Sequence, residues 1–326
     1  MKHLTIWMPA KDRRLRGRVE VARGGREDRY WRLLSDTRKD PIRVAAHVVV
    51  YVVLFLAGAM MFGWLLANFG YMVATVGTML AGAVFANWLS LRIFEARPLV
   101  DAGLRWNRAS AANLAIGLAG GIGSATLVLA PPLAVRAAHL VSEPAAQATF
   151  GSFAFVTVLL AAGAFAEELL FRGYGFQLLL SAAGPYATIL PVGVLFALMH
   201  GSNPNVTRFG LANTAGFGIL FGYAYLRSRD LWLPVGLHFG WNFTLPLFGV
   251  NLSGLRMRVT DYEMAWTAGP AWSGGAYGPE ASLLTSGVVV LLFFYLWKAP
   301  VRRQSSPIAD PPVESAACES SRPLPS

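Results

Sequence analysis

Eight apolar windows alternate with short polar connections along the chain, at roughly 44–67, 70–93, 110–133, 150–182, 186–202, 207–227, 231–250 and 281–298. Runs of about 17–25 predominantly apolar residues are long enough to cross a bilayer core about 30 Å thick as α-helices. The pattern therefore predicts an all-α, polytopic membrane protein with about eight transmembrane helices. Glycines recur inside the spans, as at Gly117, Gly120, Gly121 and Gly123 in the third, which predicts close helix packing rather than helix breaking. The fourth window is the anomaly, because Glu167, Glu168 and Arg172 interrupt it. A charge at the bilayer centre costs at least about 2.5–3.5 kcal/mol, so three together are expected to face a polar cavity within the membrane. Few other polar groups share that depth: Gln177 beyond the trio, His200 in the fifth span, and His238 and Asn242 in the seventh. The neutral Asn68, Asn87, Asn113 and Asn213 read as helix-to-helix hydrogen bonding.

Composition agrees with this reading, at 55% hydrophobic and 14% charged residues, where a soluble chain carries about 25% charged. The net charge of +10 admits nucleic acid as a partner, but its distribution argues against that. The first 43 residues hold thirteen Lys or Arg against six Asp or Glu and have no apolar core. They are thus neither a signal peptide nor a span, and read as a basic cytoplasmic segment lying against lipid headgroups. Threading from a cytoplasmic N-terminus puts Arg92, Arg97, Arg105 and Arg108 inside, with Arg227 and Arg229, as the positive-inside rule requires. Arg256 and Arg258, on the outer side, are the one discord. The chain divides into the basic segment 1–43, a helical domain 44–298 and a disordered cytoplasmic tail 299–326, in a prokaryotic cell membrane with both termini cytoplasmic. The outer segment Asn251 to Glu280, with Tyr262, Trp266, Trp272 and Tyr277, reads as an interfacial aromatic belt, or alternatively as a lid. The single cysteine, Cys318, excludes an intrachain disulfide or a cysteine metal cluster.

On a helix, Glu168 and Arg172 are four residues apart with the glutamate first, the favourable order for an ion pair. That holds one carboxylate ionised, while Glu167 points about 100° away toward another partner. A purely structural ion pair is the competing interpretation; the second, unpaired glutamate favours chemistry. His238 and Asn242 are also four apart on one face, and His200 shares a face with Phe196. At about 1.5 Å per residue, Glu167 lies about 22 Å from the cytoplasmic end of the fourth window, His200 about 20 Å into the fifth and Asn242 about 16 Å into the seventh. All three are thereby expected in the middle-to-outer part of the membrane.

Glu167-Glu168-Leu-Leu-Phe-Arg172 matches EExxxR, Phe196 to His200 matches FxxxH, and His238 to Asn242 matches HxxxN. In this order, on separate predicted helices, the motifs resemble those of the CPBP family, which includes the CAAX prenyl endopeptidases, the bacteriocin-processing enzymes and the Abi proteins. The resemblance extends over roughly residues 90–298, including the loop Arg97-Pro-Leu-Val-Asp-Ala-Gly-Leu-Arg-Trp106. It implies an intramembrane endopeptidase acting on a membrane-associated protein or peptide through an activated water. Glu167 corresponds to the proposed general base, Glu168 and Arg172 to its orienting pair, His200 and His238 to the essential histidines, and Asn242 to the oxyanion-stabilising asparagine. Peptide hydrolysis needs a base for water, a donor for the oxyanion and a proton for the leaving amine, and these residues supply all three. Either glutamate and histidines act on water directly, or Glu167, His200 and His238 bind Zn²⁺ and the metal activates it. HExxH, the compact helical zinc motif, is absent from the sequence. Two other readings compete: a non-catalytic membrane scaffold or immunity factor of the Abi type, and a transporter, for which the expected inverted repeat is not visible.

Overall fold

The computed structural model describes residues 40–143 and 148–310. The basic segment before Asp40 and the tail from residue 311 onward, with Cys318, lie outside the described residues. Helix occupies every apolar window. α1 is Pro41–Leu66, and α2 is Tyr71–Ser90, prolonged by a π-helical turn, Leu91–Glu95. α3 is Arg108–Ala134, α4 Phe150–Arg172, α5 Tyr174–Met199, α6 Arg208–Ser228, α7 Trp232–Leu247 and α8 Leu283–Lys298. Among the described residues, four helical stretches are long and apolar enough to cross a membrane, Pro41–Phe69, Tyr71–Glu95, Arg108–Ala134 and Phe150–Met199, the last combining α4 with α5. Capping boxes start two of these helices, Asn107 with Ser110 at α3 and Thr149 with Ser152 at α4. Each satisfies backbone N–H groups that the first turn leaves without intrahelical partners.

Two expectations require correction. The fourth window is not one helix, because α4 stops at Arg172 and Gly173 turns the chain into α5. A Cβ at Gly173 would collide with the Asn87 side chain and the Leu169 carbonyl, so only glycine fits that corner. A second break follows at Gly184, whose φ of 81° suits glycine alone. Glu167 is consequently five residues from the end of its helix, about 7.5 Å rather than about 22 Å. The second correction concerns the tail. Residues 301–310 fold back over the end of the bundle that carries loop 96–107, with Ser306, Ile308 and Ala309 buried. The Ser306 hydroxyl donates to Gln177 Oε1 (3.0 Å), the Gln304 N–H to the Ser228 carbonyl (2.8 Å), and the Asn113 carboxamide brackets the Arg302 backbone at 2.9 Å on both sides. A Ser- and Pro-rich composition hid these docking contacts.

At the opposite end the architecture departs from all-helical. β1, Ala138–Ser142, pairs antiparallel with β2, Tyr262–Trp266, placing Ala138 opposite Trp266 and Ser142 opposite Tyr262. Together with residues 249–282 this ribbon forms a cap. Tyr277 is wholly buried in it, whereas Tyr262 and Trp272 are exposed. Arg256 and Arg258, the outer-side cations, pair with Glu143 and Glu263 on the cap surface, Arg256 Nη2 lying 2.6 Å from Glu263 and Arg258 Nη2 3.1 Å from Glu143.

The glycines of α3 have a specific use. Gly117 and Gly121 face Gly236 and Gly240 of α7, so the two backbones touch. A Cβ at Gly121 would come within 2.7 Å of the Trp241 nitrogen, and one at Gly240 within 3.0 Å of the Ile122 nitrogen. His238 and Asn242 ride on this helix, so the seam sets where they sit. We expect Gly121→Leu to lower the thermal midpoint of the detergent-purified protein, because overpacking costs about 1–3 kcal/mol. Gly123→Leu, whose Cβ meets nothing within 4 Å, should leave the midpoint unchanged in the same assay.

Candidate active site

The last two turns of α4 bring Glu167, Glu168 and Arg172 to the centre of α4, α5, α6 and α7. Glu168 and Arg172 are both fully buried and paired, Nη1 to Oε2 at 3.2 Å. Burying an ion pair is tolerable only when the remaining polar atoms find partners. Arg172 Nη2 accordingly donates to the Gly218 carbonyl of α6 at 2.7 Å. The rings of Phe196 and Phe221 take the guanidinium at 5.0 and 5.4 Å from their centroids, within cation–π range.

Glu168 has a second partner. Its Oε1 lies 2.9 Å from His238 Nδ1. A carboxylate oxygen paired with Arg172 accepts here, so Nδ1 carries a proton and Nε2 is the nitrogen left to face Glu167. The imidazole is stacked on Phe221, with centroids 4.8 Å apart and planes inclined by 14°. His200, the residue capping the C-terminus of α5, is oriented in a parallel way. Its Nδ1 is 2.8 Å from the Phe196 carbonyl, which also only accepts. Both histidines thus expose Nε2.

Glu167 receives them. Its Oε2 lies 3.8 Å from His200 Nε2 and 3.9 Å from His238 Nε2, and is buried without a hydrogen bond. Asn242 is one turn along α7 from His238, half-buried. Five of the six residues singled out in the sequence are therefore in mutual contact through named atoms, and Asn242 lies beside them on the same helix. Gln177 stands apart: it donates to the Ala102 and Arg172 carbonyls at 2.7 and 3.0 Å. Sequence reasoning missed Gly218 and Phe221, which hold Arg172 and His238. A signal for Gly218 exists only in three dimensions, where its Cα approaches Gly193 so closely that a Cβ would lie 2.8 Å from that residue's Cα.

No group of three or more His, Cys, Asp or Glu side chains closes to metal-holding geometry among the described residues. Glu167, His200 and His238 come nearest. Their donor set, one carboxylate and two imidazoles, fits Zn²⁺, and the Glu168 carboxylate behind His238 is the outer partner that zinc-bound histidines usually have. The separations of 3.8 and 3.9 Å exceed the about 3.3 Å between neighbouring ligand atoms on a tetrahedral zinc ion, and also leave space for a water.

Because removing one member strands the other in an apolar core, we expect Glu168→Gln to destabilise the protein by about 3–5 kcal/mol. Glu168→Gln combined with Arg172→Gln should cost less than the sum of the single losses, a non-additivity readable in thermal or denaturant unfolding.

No curated protein matches the chain. Residues 149–244 match the family model described as Type II CAAX prenyl endopeptidase Rce1-like. That stretch begins at the N-cap of α4, ends within α7 and contains all six candidate residues, a narrower span than the roughly 90–298 over which the sequence resemblance extends. Over residues 149–244 the chain thus matches an Rce1-like type II CAAX prenyl endopeptidase domain, a match consistent with a protease of the CPBP family.

Proposed function

We propose that this protein is an intramembrane endopeptidase that hydrolyses a peptide bond in a membrane-associated protein or peptide, with Glu167 activating the water. The observation that carries the proposal is the convergence of both imidazole Nε2 atoms on the unbonded Glu167 oxygen, at 3.8 and 3.9 Å. In this reading a water sits between the three groups. One O–H of the water donates to an imidazole Nε2, which aims it, and the other donates to Glu167, which takes that proton as the oxygen attacks the scissile carbonyl carbon. The Asn242 carboxamide donates to the oxyanion that forms. Glu167 then returns its proton to the leaving nitrogen as the C–N bond breaks, so the carboxylate is regenerated. Glu168 and Arg172 take no part in bond making; they fix the tautomer and position of His238.

Glu167, His200 and His238 would also be the residues to hold a zinc ion, which when bound supplies a water that ionises near neutral pH. Metal analysis separates the routes. One equivalent of zinc that disappears in His238→Ala assigns the donors to a metal, and a metal-free active enzyme leaves the carboxylate as base.

The family match makes prenylated CAAX peptides the first substrates to try. With purified protein and a quenched farnesylated CAAX reporter, alongside membrane-protein substrates, we expect Glu167→Ala to abolish cleavage. Asn242→Ala should lower kcat by about 10²–10³, the scale set by loss of one oxyanion donor. Cleavage by Glu167→Ala at the wild-type rate would overturn the proposal and favour a scaffold.

A further inference from the structure

The α4 to α5 corner poses a problem that α4 cannot solve alone. A helix leaves its last four carbonyls without intrahelical partners, and here they lie in the apolar interior directly beside Glu168 and Arg172. No left-handed glycine cap closes the helix, since Gly173 has φ −72°. Three of them, the carbonyls of Leu169, Leu170 and Arg172, are met instead by side chains, two of which come from α1 and α2, outside the stretch matched by the protease family.

Asn87 of α2 is wholly buried. Its Oδ1 accepts the Tyr174 N–H at 2.7 Å, and since an N–H only donates, this contact fixes which way the carboxamide faces. Its Nδ2 shares two hydrogens among the Leu169 carbonyl at 3.0 Å, the Ala83 carbonyl at 2.8 Å and the Tyr51 hydroxyl at 3.1 Å. Tyr51 of α1, also buried, passes the chain on by donating to the Leu170 carbonyl at 2.8 Å. One carboxamide therefore binds the last turn of α4 and the first turn of α5, on either side of Gly173. Gln177 completes the arrangement by donating to the Arg172 carbonyl at 3.0 Å.

We propose that Asn87 and Tyr51 are positioning residues of the enzyme: by clamping the carbonyls of Leu169 and Leu170 they hold the helix turn that carries Glu168 and Arg172, and through it the place of His238 and Glu167. The α1–α2 hairpin is then a part of the catalytic unit and not a separate membrane anchor. The inference rests on the endopeptidase reading for its effect on rate, but its geometry does not depend on that reading.

The test compares Asn87→Ala and Tyr51→Phe with Asn113→Ala, which removes an equally buried carboxamide by which α3 holds the strap formed by residues 301–310. On the farnesylated reporter, Asn87→Ala should lower kcat by about tenfold to hundredfold, the loss that a misplacement of about 1 Å produces. KM should be unchanged. Tyr51→Phe, which deletes a single oxygen and should fold, is expected to lose kcat in the same direction by a smaller factor. Asn113→Ala should lower the thermal midpoint and keep kcat. Full kcat in both clamp variants, or an equal loss in Asn113→Ala, overturns the proposal. If the wild type leaves the reporter uncut, the failure belongs to the proposed activity, and the clamp is read by hydrogen exchange. Peptides spanning residues 165–178 should then exchange faster in Asn87→Ala while those of α6 and α7 stay as in the wild type. A uniform rise across the bundle would make Asn87 an ordinary packing residue and sink the inference.

Discussion

Everything near the centre of this molecule is arranged around one buried ion pair, Glu168 with Arg172. Two full charges without solvent are costly unless other groups meet them; Arg172 Nε and Glu168 Oε2 are buried without hydrogen bonds, and the remaining polar atoms of the pair reach outward to other helices. Arg172 takes a carbonyl from α6 and two aromatic faces, and Glu168 takes an imidazole from α7. The pair therefore ties α5, α6 and α7 to α4 and also decides which nitrogen of His238 is left to face Glu167. Support and chemistry meet in the same two side chains.

The surrounding shells answer different requirements. At the α3–α7 seam the two backbones touch at Gly117, Gly121, Gly236 and Gly240, and that contact sets the height and rotation of α7. The corner after Arg172 is held by carboxamides and a phenol from α1, α2 and α5. The strap 301–310 reaches that same corner through Ser306 and Gln177. Helix packing in an apolar solvent gains little from hydrophobicity, so close glycine contact and side-chain hydrogen bonds are the available cohesion, and both are used here.

Much of this was legible beforehand. Charges within an apolar window stand out on energetic grounds, and the spacing of Glu168 to Arg172 and of His238 to Asn242 places each pair on one helix face without knowledge of the fold. The meeting of Glu167 with His200 and His238 was anticipated from the ordered motifs, although the depth argument misjudged the helix end. The break at Gly173 was not legible, because glycine inside an apolar run looks the same whether it packs or turns; what decides is Asn87, 86 residues earlier. The bland reading of Asn87 as a helix-to-helix hydrogen bond was correct in kind, and missed that its acceptors lie at a helix terminus. Strap and cap were hidden for a related reason, since local composition does not reveal docking of Ile308 or pairing of Ala138 with Trp266.

The glycine seam has a consequence for how such a site can change over time. Rotamers are the usual means by which a packed interface absorbs a neighbouring substitution, and a backbone-to-backbone contact has none. The outer side of α3 is consequently free to vary, as the open space around Gly123 illustrates, while Gly117 and Gly121 on its inner side are frozen as glycine. A lineage could alter what approaches the site by rebuilding the cap or the outer helices, yet the distance between His238 and Glu168 would pass through such remodelling untouched.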